Sequence, residues 1–236
     1  PHRMIDGRTA RIALGVIGLV AGLGAYTLVL ASDHESNSNG VLFLFLLLGW
    51  AFIGSGLVAS VRRPGSRFGW LLAGVGLTWL LSGGLTEANA AVPFTAGLML
   101  NSLWIAVFVH AVLVYPDGRL EGRVAKASAA LVYAICTVMQ VFAVLWLDPE
   151  RELTDCAGGT CPNNLALVSA NHDLFSGVAA TQSVLGGVVG VAALVVLIDR
   201  WRHAIPSSCS NRRFAAGLPR CSRVSRSHSG PDGPPL

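Results

Sequence analysis

Residues 40–61 read GVLFLFLLLGWAFIGSGLVASV, 22 positions without Asp, Glu, Lys or Arg, followed at once by Arg62-Arg63-Pro64-Gly65-Ser66-Arg67. An α-helix rises about 1.5 Å per residue, so roughly 20 apolar residues cross the ~30 Å hydrocarbon layer of a bilayer with every backbone hydrogen bond closed inside the helix. The stretch reads as a membrane helix and the arginines as its boundary. Five more uncharged stretches have the same character: 12–32, 68–86, 88–116, 127–147 and 174–198. The expected fold class is all-α, an integral membrane bundle of six transmembrane helices at about 12–32, 40–61, 68–86, 96–115, 127–147 and 174–198. Residues 1–11 are expected to be a cytoplasmic N-terminal segment and 148–173 an outer loop. Residues 199–236 are expected to be a cytoplasmic juxtamembrane segment and a disordered tail.

Composition agrees with that reading. Of 236 residues 53% are hydrophobic and 13% charged, whereas a soluble domain carries about 25% charged residues. The mean hydropathy is +0.58. The net charge of +4 invites thoughts of nucleic acid, but the tail from residue 205 holds five arginines and one aspartate, 5 − 1 = +4. Residues 1–204 carry 12 basic and 12 acidic groups and sum to zero. No nucleic-acid partner is expected from so small a basic group.

Basic residues collect on the cytoplasmic side of multi-pass proteins. With the N-terminus inside, the cytoplasmic segments hold Arg3, Arg8, Arg11, Arg62, Arg63, Arg67, Arg119, Arg123, Lys126, Arg200 and Arg202, and the outer ones only Arg151. The outer face takes Asp33, Glu35, Glu87, Asp148, Glu150, Glu152, Asp155 and Asp173. Arg62, Arg63, Arg67, Arg119, Arg123, Arg200 and Arg202 are read as topology and headgroup anchors. The expected location is the cell membrane, multi-pass, with the lipid bilayer as the first partner. The first span exceeds the roughly 7–15 residues of a signal-peptide core, so it is read as a retained helix. Pro64-Gly65 and Pro116-Asp117-Gly118 suit tight turns at helix ends.

The run 156–172 is uncharged but rich in Asn, Gly and Pro, and reads as loop rather than span. It opens with Cys156-Ala-Gly-Gly-Thr-Cys161 on the face where oxidising conditions are expected. A local disulfide is favoured there, constraining a mobile loop; free thiols and a metal site stay open, although the spacing is not a usual zinc pair and only His172 lies nearby. Cys136 reads as a small packing residue.

The expected spans hold no central charge, which argues against proton relays and coupled transport. Asn101, Gln140 and Gln182, on the fourth, fifth and sixth spans, form a candidate polar cluster for sensing or packing in the outer half of the bilayer. His110 and Ser55 sit at similar depth, yet no oxyanion-stabilising arrangement accompanies them, so hydrolysis is disfavoured. Gly18-x-x-x-Gly22 and Gly186-x-x-x-Gly190 permit close helix packing within the chain or in a homodimer.

Taken in order, Arg62-Arg63-Pro64-Gly65 with Phe68-Gly69-Trp70-Leu71-Leu72, then Leu113-Val114-Tyr115-Pro116-Asp117-Gly118-Arg119-Leu120, then Asp199-Arg200-Trp201-Arg202, resemble the membrane region of actinobacterial two-component sensor histidine kinases. The likeness covers about residues 10–204. It implies a signal-input region without its output enzyme: no phosphoacceptor helix or nucleotide site follows the last span, and His203 fits no phosphoacceptor pattern. No catalytic residue, metal or cofactor is expected, and a response regulator would be reached only through a missing kinase core. The abrupt change of composition near Pro206 suggests a truncated or frameshifted coding sequence. The alternatives are a stand-alone structural or interaction subunit and, with less support, a permease or channel.

Overall fold

The computed structural model describes residues 2–33, 39–115, 118–120, 122–156 and 160–204. Among them the chain is all-helical, without a strand. The long helices are α1 (His2–Leu30), α2 (Asn39–Arg62) and α3 (Phe68–Thr86). The next crossing is split into α4 (Ala91–Leu100) and α5 (Leu103–Val114). The fifth joins α6 (Arg123–Ala134), a π-helical segment (Ile135–Met139) and α7 (Gln140–Val144). A short α8 (Pro149–Glu152) and a 3₁₀ turn (Thr154–Cys156) precede α9 (His172–Ala204).

Six segments are long and apolar enough to cross a membrane: Gly7–Leu30, Gly40–Arg62, Phe68–Thr86, Ala91–Val114, Arg123–Val144 and His172–Asp199. The number agrees with the sequence reading, but the ends shift. The first, fifth and sixth begin before the uncharged stretches: at the first and fifth, long basic stems lie along the helix while their heads reach water, and at the sixth the polar His172 and Asp173 occupy the exposed first turn. The fifth stops at Val144 rather than residue 147, where the side chain of Asn164 takes over the freed carbonyls. The described residues up to Ile198 form one compact unit, and residues 199–204 belong to α9. The expected tail disorder, the Pro116-Asp117 turn, residues 34–38 and Ala157–Gly159 of the cysteine ring lie outside the described residues.

Helix α3 is the centre of the bundle, packed against α1, α2, α4 and α5. Hydrocarbon is no worse a solvent for Leu than another helix is, so membrane helices associate through close van der Waals contact, which favours glycine. A Cβ on Gly56 would lie 2.5 Å from the Gly69 carbonyl oxygen, one on Gly69 2.6 Å from the Ser60 amide nitrogen, and one on Gly76 against the Gly49 carbonyl. The backbones of α2 and α3 therefore touch along two turns. Indole donors add polar ties: Trp50 Nε1 donates to the Gly18 carbonyl at 3.2 Å and Trp79 Nε1 to that of Phe45 at 3.1 Å. Gly18 and Gly22 face Ile53 and Trp50, so the first small-residue motif is an internal α1–α2 contact.

Helix α9 is differently placed. Val189 packs with Ala106, Val132, Ile135 and Cys136, and Ala193 with Leu113, Ala125 and Ala129. Phe175 packs on the cluster around Phe94 and Leu98, and Val196 beside Ala193. Another face is open, with Val184, Val188, Val191, Leu194 and Val195 exposed, and with nothing within 4 Å of a Cβ on Gly186 or Gly190.

Candidate functional site

The fourth crossing breaks at Asn101-Ser102, with no proline there to explain it. A side chain inserted into the i→i−4 ladder is one recognised cause of such a break, and Gln140 supplies it: its Nε2 donates to the Leu98 carbonyl at 2.8 Å. Gln140 Oε1 accepts from Ser102 Oγ at 2.7 Å and from Gln182 Nε2 at 3.2 Å, while Gln182 Nε2 also reaches Ser102 Oγ at 3.1 Å. Three crossings thus meet in one hydrogen-bonded junction. The π segment immediately before Gln140 holds an extra residue in its turn, which rotates the residues beyond it by about 100° relative to a continuous α-helix.

The sequence places Asn101 in this cluster, and the structure corrects that: Asn101 is exposed and Ser102 takes its place. Neighbouring residues of a helix point about 100° apart, so only one of the two can face Gln140. Gln140 and Gln182 do come together. All three partners are uncharged amides or a hydroxyl, half-buried, so the junction can exchange hydrogen bonds, and the two amides offer no base to activate the Ser102 hydroxyl.

Between α7 and α9 the chain sends Cys156 and Asn164 into the interior. Cys156 and Cys161 form a disulfide with Cα atoms 5.0 Å apart, and Cys156 is buried with Phe94, Leu98, Val144 and Leu147. Buried Asn164 donates from Nδ2 to the carbonyls of Val144 at 2.7 Å and Leu147 at 2.9 Å, while its Oδ1 accepts from the Ala166 amide at 3.0 Å. A helix end leaves carbonyls without partners, and this one side chain takes two of them, which is why the fifth crossing can end at Val144. Thr95 Oγ1 accepts from the Leu165 amide at 3.0 Å, tying the same segment to α4.

His172, the first residue of α9, places Nδ1 2.9 and 3.0 Å from the two carboxylate oxygens of Glu152. His172 and Asp173 precede the uncharged stretch 174–198, so this polar end lies outside the apolar part of the crossing. The hydrogen bond that the protonated ring donates to Glu152, followed by the charge of that carboxylate, raises the His172 pKa above its ordinary value. A second polar tie links the end of α1 to the turn after α3: Asn89 Nδ2 donates to the Ala31 carbonyl at 2.7 Å and to Asp33 Oδ2 at 2.9 Å.

At the other end, His110 Nδ1 lies 3.3 Å from Tyr133 Oη, beside a cavity of about 340 Å³ lined in part by Arg67 and Trp70. Ser55 is exposed and His110 is engaged with Tyr133, so the two residues form no catalytic pair. Arg62, Arg63, Arg67, Arg119, Arg123 and Arg202 are all exposed, while the side chain of Arg200 lies outside what is described. Among the described residues no group of three or more His, Cys, Asp or Glu is placed to hold a metal ion.

Ser102, Tyr133 and Asn164 escaped the sequence reading. Ser and Tyr are common in spans, and Asn164 looked like ordinary loop composition. One signal was available for Asn164: the fifth crossing ends without a glycine cap, so its carbonyls need a donor from elsewhere. Comparison with known proteins gives no match, whether with family profiles, curated proteins or solved structures.

Proposed function

We propose that this chain is the signal-input region of a sensor histidine kinase, held in the cell membrane with its N-terminus and the Ala204 end of α9 in the cytoplasm. The observation that carries the reading is the seating of α9. This helix starts at the pair with Glu152, packs Phe175 near Leu98, touches the polar junction through Gln182, and rests on the bundle further along at contacts around Val189, Ala193 and Val196. An element so lightly packed can shift against a rigid α1–α3 core at low energetic cost, and a change at the outer segment would reach it through His172 and Gln182. The junction supplies alternative hydrogen-bond partners, and a stimulus would act by binding one arrangement better than the other. In such a kinase the shift would pass along α9 to a phosphoacceptor helix and thence to a response regulator.

The test joins residues 1–204 to a soluble histidine-kinase core in continuous helical register. Gln140→Met and Glu152→Gln should change autophosphorylation by several-fold while leaving membrane insertion intact. Equal phosphorylation in every variant would refute the reading. A second reading, a stand-alone interaction subunit, is favoured by the open face of α9 around Gly186 and Gly190. A partner that co-purifies with the wild-type chain and is lost in Gly186→Leu would favour it.

A further inference from the structure

The basic ends of α1 and α2 enclose a groove of about 660 Å³. Arg8, Arg11 and Arg62 stand around its mouth, and Ile12, Gly15 and Leu57 form its apolar wall. Arg11 is fixed in place, because its Nη1 donates to the Ser60 carbonyl at 3.3 Å, and that bond leaves the rest of the guanidinium able to face the groove. Among the described residues no carboxylate lines the groove. Gly15 keeps the wall recessed: a Cβ there would meet only Leu57 Cδ1, at an ordinary 3.6 Å.

We propose that this groove is a discrete site for an anionic phospholipid. Three guanidinium groups at headgroup level would hold the phosphate, since arginine matches phosphate oxygens in paired hydrogen bonds. The apolar wall continues from them into the layer, where an acyl chain lies. Basic recesses between transmembrane helices are suited to such headgroups, whereas a scattered surface charge attracts lipid without selecting a position. A bound lipid would also bridge α1 to α2 where the glycine contacts at Gly18 and Gly22 no longer reach. That the site faces the cytoplasmic leaflet rests on the proposed orientation of the chain; that it binds anionic lipid does not.

The full chain, purified in detergent, is titrated with dioleoyl phosphatidylglycerol or dioleoyl phosphatidylcholine and bound lipid is counted by native mass spectrometry. Wild-type protein should retain phosphatidylglycerol at the stoichiometry of one site and bind phosphatidylcholine about tenfold more weakly or worse. Arg8→Gln with Arg62→Gln should abolish that preference. Gly15→Leu should weaken retention through the groove alone, with every charge kept, and Arg119→Gln with Arg123→Gln, outside the groove, should leave it unchanged. Equal retention in wild type and the Arg8, Arg62 variant overturns the site, as does an equal loss in the Arg119, Arg123 variant or full retention in Gly15→Leu. Detergent micelles have no sides, so a failure here is distinct from a wrong orientation, which cysteine labelling of Ser66→Cys from either face of sealed vesicles reads separately.

Discussion

Replacing Gln140 by Met tests the junction directly, because Met keeps the unbranched shape and nearly the volume of the amide while removing its polar atoms. The substitution deletes three hydrogen bonds: those accepted from Ser102 and Gln182 and that donated to the Leu98 carbonyl. Side-chain hydrogen bonds between membrane helices average about 0.6 kcal/mol, so the expected loss is roughly 2 kcal/mol. Gln182→Met removes two bonds, to Ser102 and to Gln140, and should cost about 1.2 kcal/mol by the same figure. The two substitutions share one bond, so a double-mutant cycle should return a coupling of about 0.6 kcal/mol. Reversible unfolding in mixed micelles, followed by helical circular dichroism, measures all three. Asn101→Ala is the internal control and should fall within about 0.5 kcal/mol of wild type, as exposed positions do. A stable Gln140→Met protein, or an Asn101→Ala protein destabilised as much, would show that the junction does not hold the three crossings together.

The helix packing and the segment between α7 and α9 set three other outcomes. Gly76→Val drives a side chain into the Gly49 carbonyl and Ile53, and should destabilise the fold by about 1–3 kcal/mol or more, whereas Gly190→Val should leave unfolding of the monomer unchanged; equal behaviour of the two would contradict the assigned helix contacts. Asn164→Ala removes the side-chain donor to the carbonyls of Val144 and Leu147 and should cost about 1–3 kcal/mol, with faster proteolysis between residues 160 and 171 as the local sign. Because the pKa of His172 is raised in the folded protein, its pair with Glu152 contributes fully below the unfolded value of about 6.5 and is lost as pH rises through the folded one. A proton titration of the His172 ring by NMR should move toward the ordinary midpoint in Glu152→Gln, and an unmoved midpoint would show that the carboxylate is not its partner.

Much of the architecture is legible in the sequence because a bilayer imposes simple requirements. Uncharged stretches near 20 residues mark the crossings, since a charge in hydrocarbon is costly and an unclosed backbone more so. The same logic fails at the ends of helices. Arg123 and His172 lie inside their helices despite their polarity, because a long or terminal side chain reaches water without breaking the backbone. The polar cluster was half legible: Gln140 and Gln182 stand out within spans, but the choice between Asn101 and Ser102 depends on a helix break that Gln140 itself helps to make. Hydropathy has no term for such a break, nor for a π turn that changes which face a residue presents.

The two small-residue motifs mark the division most clearly. By its residues alone the chain determines that α1 and α9 each carry a Gly-x-x-x-Gly face able to approach another helix, and it sets six crossings and a basic and an acidic side. Only the tertiary arrangement decides that Gly18 and Gly22 are filled by Ile53 and Trp50, while Gly186 and Gly190 meet nothing within 4 Å. The physical reason is that spacing fixes which residues share a face of a helix, but the neighbour that face meets depends on how all six segments satisfy their contacts at once. In this protein α3 takes the centre because Gly56, Gly69 and Gly76 let two backbones touch, and α9 is left at the edge with its polar tie to Gln140.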